Sequence, residues 1–296
     1  MKKEAKLILG GGAAYGLAHI GAIAALREHF EITGIVGTSM GAIIGGLIAM
    51  GKEPAEILRA AQDNKTALIF NPLIVSAIPE SIHLSLFRGL HDRLKVINIF
   101  RNWTDNALIE DLPIPFVAVT YDLHKRTTVL FDRGCLAEAM RASSSLPLLF
   151  APLSLGAYKF VDGGVEHPLP LAFGNSVPGN FTIAINVLPE VSTKAERIHV
   201  ENAGKQKRMW AHQVFIQTLL QNQGFVALQA MLNNPPDLYI DAHDSSKGLF
   251  DLMDAQEFYD YGYQAAMDSL ANLGKPKFRE QMLEKYQALI ARFFKR

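Results

Sequence analysis

A serine set between two glycines is the feature of this sequence that most directly suggests chemistry. Residues 37–41 read Gly-Thr-Ser-Met-Gly, the pattern G-x-S-x-G with Ser39 at its centre. In a nucleophile elbow, this pattern puts the serine on a sharp strand-to-helix turn, where Gly37 and Gly41 let the backbone pass closely. It also fits a plain glycine-rich helix start in which the serine is a capping residue. We favour the elbow, because an apolar strand-like run precedes the serine and a helical run follows it.

A second glycine cluster, residues 10–12, lies between a short apolar run and a helical segment. Backbone N–H groups in such a turn, beside the positive end of a helix, bind negative charge. A dinucleotide site would need G-x-G-x-x-G and an acidic residue at the end of the second strand, and a nucleotide P-loop would need Gly-Lys followed by Ser or Thr. The sequence has neither pattern here. The remaining anion is the oxyanion of an acyl-transfer intermediate.

The elements that must position these two clusters alternate between strand and helix. KLILG, a helix over about 15–29, ITGIVG and a helix over about 41–50 form a βαβα opening, which predicts a mainly parallel sheet with covering helices. Two apolar runs predict adjacent strands, and after about residue 192 the pattern is helical apart from one short strand. The later segments are IPFVAVTYDL, KRTTVLFDRG, CLAEAMRASSS, YKFVDGG, FTIAINVLP and PPDLYIDAH.

Composition and charge exclude several classes of protein. Basic and acidic residues each number 29, so the net charge is zero and we expect no nucleic-acid partner. A single cysteine, Cys135, and an N-terminus that does not read as a signal peptide predict a cytoplasmic protein. The uncharged stretches 7–26 and 32–51 are long enough to span a membrane. Their glycine breaks favour buried strand–turn–helix units instead.

Three motifs in this order resemble the patatin-like phospholipases, a family of serine acyl hydrolases: LGGGAAYGLAHIGA, VGTSMGA and VDGG. The stretches IPFVAVTYDLHKRTTVLFDRG and RASSSLPLLFAPLSLGAYKFVDGG resemble the family as well, so the resemblance covers about residues 5–190. It implies an α/β fold, a three-layer α/β/α sandwich with a mainly parallel central sheet. We expect a single domain over residues 1–296, with a helical C-terminal part over about 191–296.

The resemblance also implies a chemistry that uses a Ser–Asp dyad and no histidine. Its nucleophile would be Ser39 and its base Asp162, the first residue of an Asp-Gly-Gly triplet. The oxyanion loop would comprise Gly11, Gly12 and Ala13, and the remaining motif glycines would be Gly37, Gly41, Gly163 and Gly164. The substrate would be a lipid or another acyl ester, cleaved by a phospholipase A or lysophospholipase-like esterase. We expect no cofactor and no metal.

Two alternatives remain open beside the dyad. The first is a Ser–His–acid esterase of the α/β-hydrolase type, whose histidine would be drawn from His167, His199, His212 and His243. The second is a weakened lipid-binding or regulatory module. It is motivated by Ala13 and Tyr15, which stand where the family usually has a third glycine and an arginine.

Some further residues have two interpretations each. Asp122 fits a group that orients the site or a carboxylate that ends a strand, and His19 fits a packed or capping side chain. The basic cluster KQKRMW, residues 205–210, fits a peripheral membrane contact with anionic head groups or a solvated helix face. The apolar stretch 68–79 fits a lid that docks on lipid or a pair of core helices.

Overall fold

The computed structural model of the chain describes residues 2–63, 93–147, 150–189, 211–243 and 255–273, together with the single positions 280 and 284. The chain opens with alternating strands and helices, as its hydrophobic pattern predicts. Layers on both faces of the sheet bury the ends of the first two strands. The bounds in this opening are β1 Lys3–Leu9, α1 Ala18–His29, β2 Phe30–Thr38, α2 Met40–Ala49 and α3 Pro54–Gln62, with a 3-10 turn at Ala13–Leu17 before α1.

The later described elements complete the sheet and its helical cover. The apolar runs around residues 116 and 130 pair as an antiparallel hairpin, which confirms the prediction of adjacent strands. The described part of the chain beyond residue 192 contributes helices and one short strand, again as predicted. The bounds are α4 Arg93–Thr104, β3 Phe116–Asp122, β4 Thr127–Phe131, α5 Leu136–Ser143, β5 Leu153–Leu155, β6 Tyr158–Asp162, β7 Thr182–Asn186, α6 Ala211–Asn233, β8 Leu238–Asp241 and α7 Ala255–Ala271.

The strands form one mixed sheet in which the pairing follows β5-β6-β3-β2-β1-β7-β8. Strands β2 and β6 pair with successive parts of one edge of β3, and β4 pairs with its other edge. The central part of the sheet is parallel, since β1 pairs with β2 and β7, β2 with β3, and β7 with β8. The strands β4, β5 and β6 pair antiparallel at one side. The prediction of an α/β fold with a mainly parallel central sheet is confirmed.

Two apolar layers, one on each face of the sheet, make up most of the core, and a small third cluster surrounds Phe160. Along β1, Leu7 and Leu9 point into the larger layer, which packs against α1, α2, α3, α4, α5 and α7. The intervening Ile8 points into the smaller layer, which packs against α6 and the segment around Leu171. Because side chains alternate between the two faces along each strand, the strands contribute residues to both layers. The result is the three-layer arrangement predicted for the chain.

Helix α7 lies across α1 at a crossing where the two backbones nearly touch. A Cβ atom added at Gly262 would lie 1.9 Å from the carbonyl oxygen of Ala18, and one at Gly21 would lie 1.8 Å from that of Tyr259. Only hydrogen fits at these two positions. Helix α7 of the C-terminal region is therefore packed directly on the first helix of the βαβα opening.

Some expectations concern residues outside the described ranges, namely the apolar stretch 68–79 and the basic cluster 205–210. Among the helices that the structure describes, none combines the length and the apolar character needed to cross a lipid bilayer. The assignment of one domain to residues 1–296 stays a prediction.

Candidate active site

Ser39 occupies a sharp turn between β2 and α2. Its φ of 55° and ψ of −121° are strained for a residue with a side chain, as in a nucleophile elbow. The two glycines of the motif allow close backbone contacts. A Cβ at Gly37 would lie 2.4 Å from the carbonyl oxygen of Gly41, and one at Gly41 would lie 2.4 Å from that of Leu9. The local backbone matches the elbow.

The register of β3 explains why Ser39 and Asp162 meet although they are far apart in sequence. The last residue of β2, Thr38, pairs with Val119 of β3. Beyond this point β6 takes over the same edge of β3, and its last residue, Asp162, pairs with Thr120. The two strands run in opposite directions and end at successive positions of β3, so the residues at their ends are brought into contact.

The Ser39 hydroxyl donates a hydrogen bond of 2.5 Å to Oδ2 of Asp162. It does not cap α2, although the residue occupies the N-cap position. The other carboxylate oxygen, Oδ1, accepts the Gly164 N–H at 2.7 Å. Asp162 is almost fully buried, and Ser39 is 9% exposed. The arrangement thus joins the hydroxyl of a slightly exposed serine to a buried carboxylate.

Burial raises the pKa of Asp162 to about 6, although the hydrogen bonds from Ser39 and Gly164 act in the opposite direction. Taking a carboxylate out of water penalises its charged form, and here this effect exceeds the stabilisation by the two donors. The group is therefore a stronger base than an ordinary carboxylate and is still mainly ionised at pH 7. These are the properties that a general base needs.

The two glycines after Asp162 are also placed by close contacts. A Cβ at Gly163 would lie 2.3 Å from the carbonyl oxygen of Val119. At Gly164 it would lie 2.7 Å from Nε2 of Gln223 and 3.0 Å from Oδ1 of Asp162. A side chain at either position would push the turn away from β3 or from the carboxylate.

Ser143, at the end of α5, holds the elbow from the side. Its hydroxyl accepts the Ser39 N–H at 2.8 Å and donates to the carbonyl oxygen of Val119 at 2.6 Å. Both bonds are buried, so the hydroxyl joins the elbow to the neighbouring strand. This contact was not predicted from the sequence, in which residues 143–145 are three consecutive serines.

The glycine loop lies beside the elbow, and its first amides are already bonded. A Cβ at Gly11 would lie 3.2 Å from that of Ser39, so the loop touches the serine directly. The Gly11 N–H, however, donates to the carbonyl oxygen of Pro168 at 2.8 Å. The assignment of Gly11 to the oxyanion loop stays a prediction, and in this structure its N–H is bonded to Pro168. In the described part of the chain, no acceptor takes the N–H of Gly12 or Ala13.

The two positions that differ from the family pattern have distinct surroundings. Ala13 has a φ of 49°, so an alanine occupies the left-handed conformation that suits glycine. Tyr15 is buried, with its ring edge-on to those of His243 and Phe258 at centroid distances of 4.9 and 6.1 Å. The tyrosine thus packs into the core behind the loop.

No histidine ring within the described residues forms a hydrogen bond to Ser39 or Asp162. The ring of His167 packs edge-on against Phe173. Burial lowers the pKa of His167 below its ordinary value, and the charge of Glu166 offsets only part of this effect. The Nδ1 atom of His243 lies 3.3 Å from the carbonyl oxygen of Val187. Two candidates are not placed: His199 lies outside the described ranges, and for His212 the structure describes only the helix backbone.

Asp122 ends β3, and its carboxylate stabilises the turn that follows. Its carboxylate accepts the backbone N–H groups of His124, Lys125 and Lys159 at 3.0 to 3.3 Å. Burial acts to raise its pKa, but the three bonds together hold the pKa below the ordinary value. Of the two interpretations, the structure favours the strand-end carboxylate. No group of three or more acidic, histidine or cysteine side chains suited to a metal occurs in the described ranges.

Comparisons with known proteins bear on this site. A family model described as "Patatin-like phospholipase" matches residues 7–173. An uncharacterized NTE family protein of Mycobacterium tuberculosis is 37% identical over 184 residues, which is 61% of this chain and 48% of that protein. Patatin-like phospholipase domain-containing protein 6 of Mus musculus is 26% identical over 294 residues, which is 94% of this chain and 21% of that protein.

The chain thus spans less than half the length of these curated relatives. Among solved structures, the crystal structure of VipD from Legionella pneumophila is similar with a TM-score of 0.44 and 14% identity. The match covers 92% of this chain and 67% of the VipD chain.

Proposed function

Because the chain belongs to the patatin-like phospholipase family, we propose that it is a serine acyl hydrolase that cleaves fatty acyl esters of lipids. The observation that carries the proposal is the 2.5 Å hydrogen bond from the Ser39 hydroxyl to the buried Asp162 carboxylate. A serine hydroxyl becomes a nucleophile when a base within hydrogen-bond reach takes its proton. The family match and this contact support the same chemistry.

In the proposed mechanism, Ser39 Oγ attacks the ester carbonyl carbon while Asp162 takes the hydroxyl proton. The tetrahedral intermediate collapses, the bond to the alcohol oxygen breaks, and Asp162 returns the proton to the departing alcohol. A water molecule then attacks the acyl-serine in the same way. Asp162 takes the proton of the water and returns it to Ser39 Oγ, releasing the fatty acid. The raised pKa of Asp162 suits both the acceptance and the return of the proton.

The negative charge of the intermediate would be stabilised by the N–H groups of Gly12 and Ala13, which follow the bonded Gly11 amide in the loop beside Ser39. Each such donor typically contributes about 3 kcal/mol to transition-state stabilisation. The start of α2 directly after Ser39 adds the positive end of a helix dipole. Both effects favour the transition state over the bound ester.

The triad alternative is less well supported, because the contacts described for the rings of His167 and His243 go to Phe173 and to the carbonyl oxygen of Val187, and none of them reaches Ser39 or Asp162. Labelling with a fluorophosphonate probe tests both mechanisms. We expect a single adduct, mapped by mass spectrometry to Ser39. Turnover should be lost in Ser39→Ala and Asp162→Asn, and should largely persist when His167, His199, His212 or His243 is replaced by alanine.

The outcomes distinguish the alternatives. A folded protein that takes up no label would favour a binding or regulatory module, as Ala13 and Tyr15 suggested. An adduct on another residue would remove Ser39 as the nucleophile. A histidine variant as inactive as Ser39→Ala would establish the triad.

The leaving group provides a second test of the proposed function. A carboxylic acid gives modest assistance to an alkoxide or thiolate that leaves, whereas an amine must be fully protonated. We therefore expect hydrolysis of esters and thioesters and not of a matched fatty acyl amide. The measurement compares p-nitrophenyl esters of increasing chain length, the amide and phospholipid vesicles. Equal rates for amide and ester, or a strict preference for acetate, would contradict the proposal.

A further inference from the structure

His19 is a buried ring that the proposed mechanism does not use. It lies in the first turn of α1 and has no exposed surface. Its Nε2 atom is 2.7 Å from the carbonyl oxygen of Gly10. A carbonyl only accepts, so Nε2 carries the hydrogen. Burial lowers the pKa of His19 to about 4, against the effect of this hydrogen bond, so the ring is neutral at pH 7.

Among the described residues, the other ring nitrogen, the buried Nδ1 of His19, has no hydrogen-bond partner. An unpaired polar atom in the interior is unfavourable, and a leucine would fill the same space without it. Unlike leucine, the histidine provides an N–H group, which donates to the carbonyl oxygen of Gly10.

That N–H contacts one end of a peptide unit whose other end is also held. The carbonyl of Gly10 accepts from His19, and the N–H of Gly11, in the same planar unit, donates to Pro168. The Gly10 N–H donates in turn to the carbonyl oxygen of Ile185 at 3.1 Å. The direction in which the chain enters the loop is thus set just before Gly12.

We propose that His19 is a positioning residue that fixes the Gly10–Gly11 peptide and thereby aims the following amides at the oxyanion. The inference rests on the proposed function for the oxyanion, but the contact itself does not. Glycines have no side chain to hold their conformation, so hydrogen bonds from outside the loop fix the orientation of this peptide, and His19 supplies the bond to its carbonyl. Small errors in the position of catalytic groups reduce rates by about 10²-fold.

Matched variants separate the hydrogen bond from packing. Gln carries an amide N–H as far along the side chain as Nε2, whereas the N–H of Asn is one bond too short. We expect His19→Gln to keep kcat on a p-nitrophenyl ester within about fivefold of the wild type. His19→Asn and His19→Leu should lose about 10-fold to 100-fold in kcat and in the rate of phosphonate labelling, with KM within about twofold. Ile23→Ala, which creates a cavity beside the same helix, should lower the stability of the protein while its kcat stays within about threefold of the wild type.

Two measurements apply even if the wild type is inactive, and the first is made on the wild type itself. Nitrogen-15 spectra of the wild type, with the His19 signals assigned by His19→Gln, should show a neutral ring with its proton on Nε2 from pH 5 to 8. Hydrogen exchange of the peptide that covers residues 10–17 should be faster in His19→Asn than in His19→Gln.

A proton on Nδ1, equal exchange in the two variants, or the same kcat in His19→Gln and His19→Asn would overturn the inference. A wild type that takes up no phosphonate and hydrolyses no ester would contradict the proposed function instead, and the loop exchange would still decide the role of His19.

Discussion

Asp162 and Asp122 are both buried carboxylates at strand ends, yet their surroundings act on their charge in opposite directions. Asp122 accepts three backbone N–H groups, which favour its ionised form. Asp162 accepts one N–H and the Ser39 hydroxyl, too few to offset burial. The difference separates a carboxylate that stabilises a turn from one that is kept basic at a cost in stability.

This difference predicts that Asp162→Asn stabilises the protein while it abolishes turnover. The folded protein keeps the Asp162 proton up to about pH 6, whereas the unfolded chain loses it near pH 4. The group therefore favours folding below about pH 4, and this contribution is lost as the pH rises through about 6. We expect the free energy of unfolding of Asp162→Asn at pH 7, from urea titration, to exceed that of the wild type by about 3 kcal/mol. The gain should disappear below about pH 4.

The matched control is Asp122→Asn. An amide there places an N–H group against backbone donors, so we expect lower stability at pH 7, with the loss diminishing as the pH falls. If the two variants change stability in the same direction at pH 7, the contrast between the two sites is wrong.

The raised pKa of Asp162 also predicts the pH dependence of the reaction. Only the ionised carboxylate accepts the Ser39 proton, so kcat/KM should rise through a single ionisation near pH 6 and be about tenfold lower at pH 5 than on the plateau. Ester hydrolysis measured from pH 4 to 8 gives the midpoint. Burial also lowers the pKa of His167, so His167→Ala is the necessary control. A midpoint that moves in this variant would assign the ionisation to the histidine.

At the scale of elements, the strands and helices were readily predicted from the sequence, because each depends on local periodicity. The contacts that complete the site depend on distant parts of the chain. Three consecutive serines look alike in sequence. Ser144 and Ser145 bond to carbonyls of their own helix, and Ser143 alone of the three reaches across to Ser39. Nor do the loop residues themselves reveal that Pro168 takes the Gly11 N–H.

Ser143→Ala should therefore disturb the elbow without touching the dyad. It removes the acceptor of the Ser39 N–H and the donor to Val119, and leaves both backbone groups buried without their partner. We expect a loss of about 1–3 kcal/mol in the free energy of unfolding, and at least about a tenfold loss in the rate of phosphonate labelling, since Ser39 is no longer held in its strained conformation.

Ser144→Ala is the control for this change, because within the described residues its hydroxyl donates to the Met140 carbonyl one turn earlier and does not reach Ser39. This variant should label nearly as fast as the wild type. If Ser143→Ala labels at the wild-type rate as well, the elbow is held without the Ser143 hydroxyl.

At the scale of the whole molecule, the motifs of the first two thirds of the chain predicted the sandwich, whereas the attachment of the C-terminal helices had no motif. Gly21 and Gly262 lie in helical segments with no distinctive sequence pattern. In the structure, both glycines allow the backbones of α1 and α7 to approach closely at their crossing. The same helix α7 places Phe258 against Tyr15, directly after the glycine loop. The crossing therefore links the C-terminal part both to the core and to the neighbourhood of the site.

Gly262→Ala tests whether this crossing makes the chain one cooperative unit. In an isolated helix the change is favourable by about 1 kcal/mol, but here the added methyl would lie 1.9 Å from the Ala18 carbonyl oxygen, so the helices must separate. We expect a loss of about 2 kcal/mol or more in the free energy of unfolding, as for other overpacked sites. Urea unfolding should show a single transition moved to lower urea, because one domain unfolds as a whole. Gln264→Ala, on the exposed side of α7, should change the midpoint little. A second transition in Gly262→Ala, with phosphonate labelling unchanged across it, would show instead that the C-terminal helices fold apart from the core.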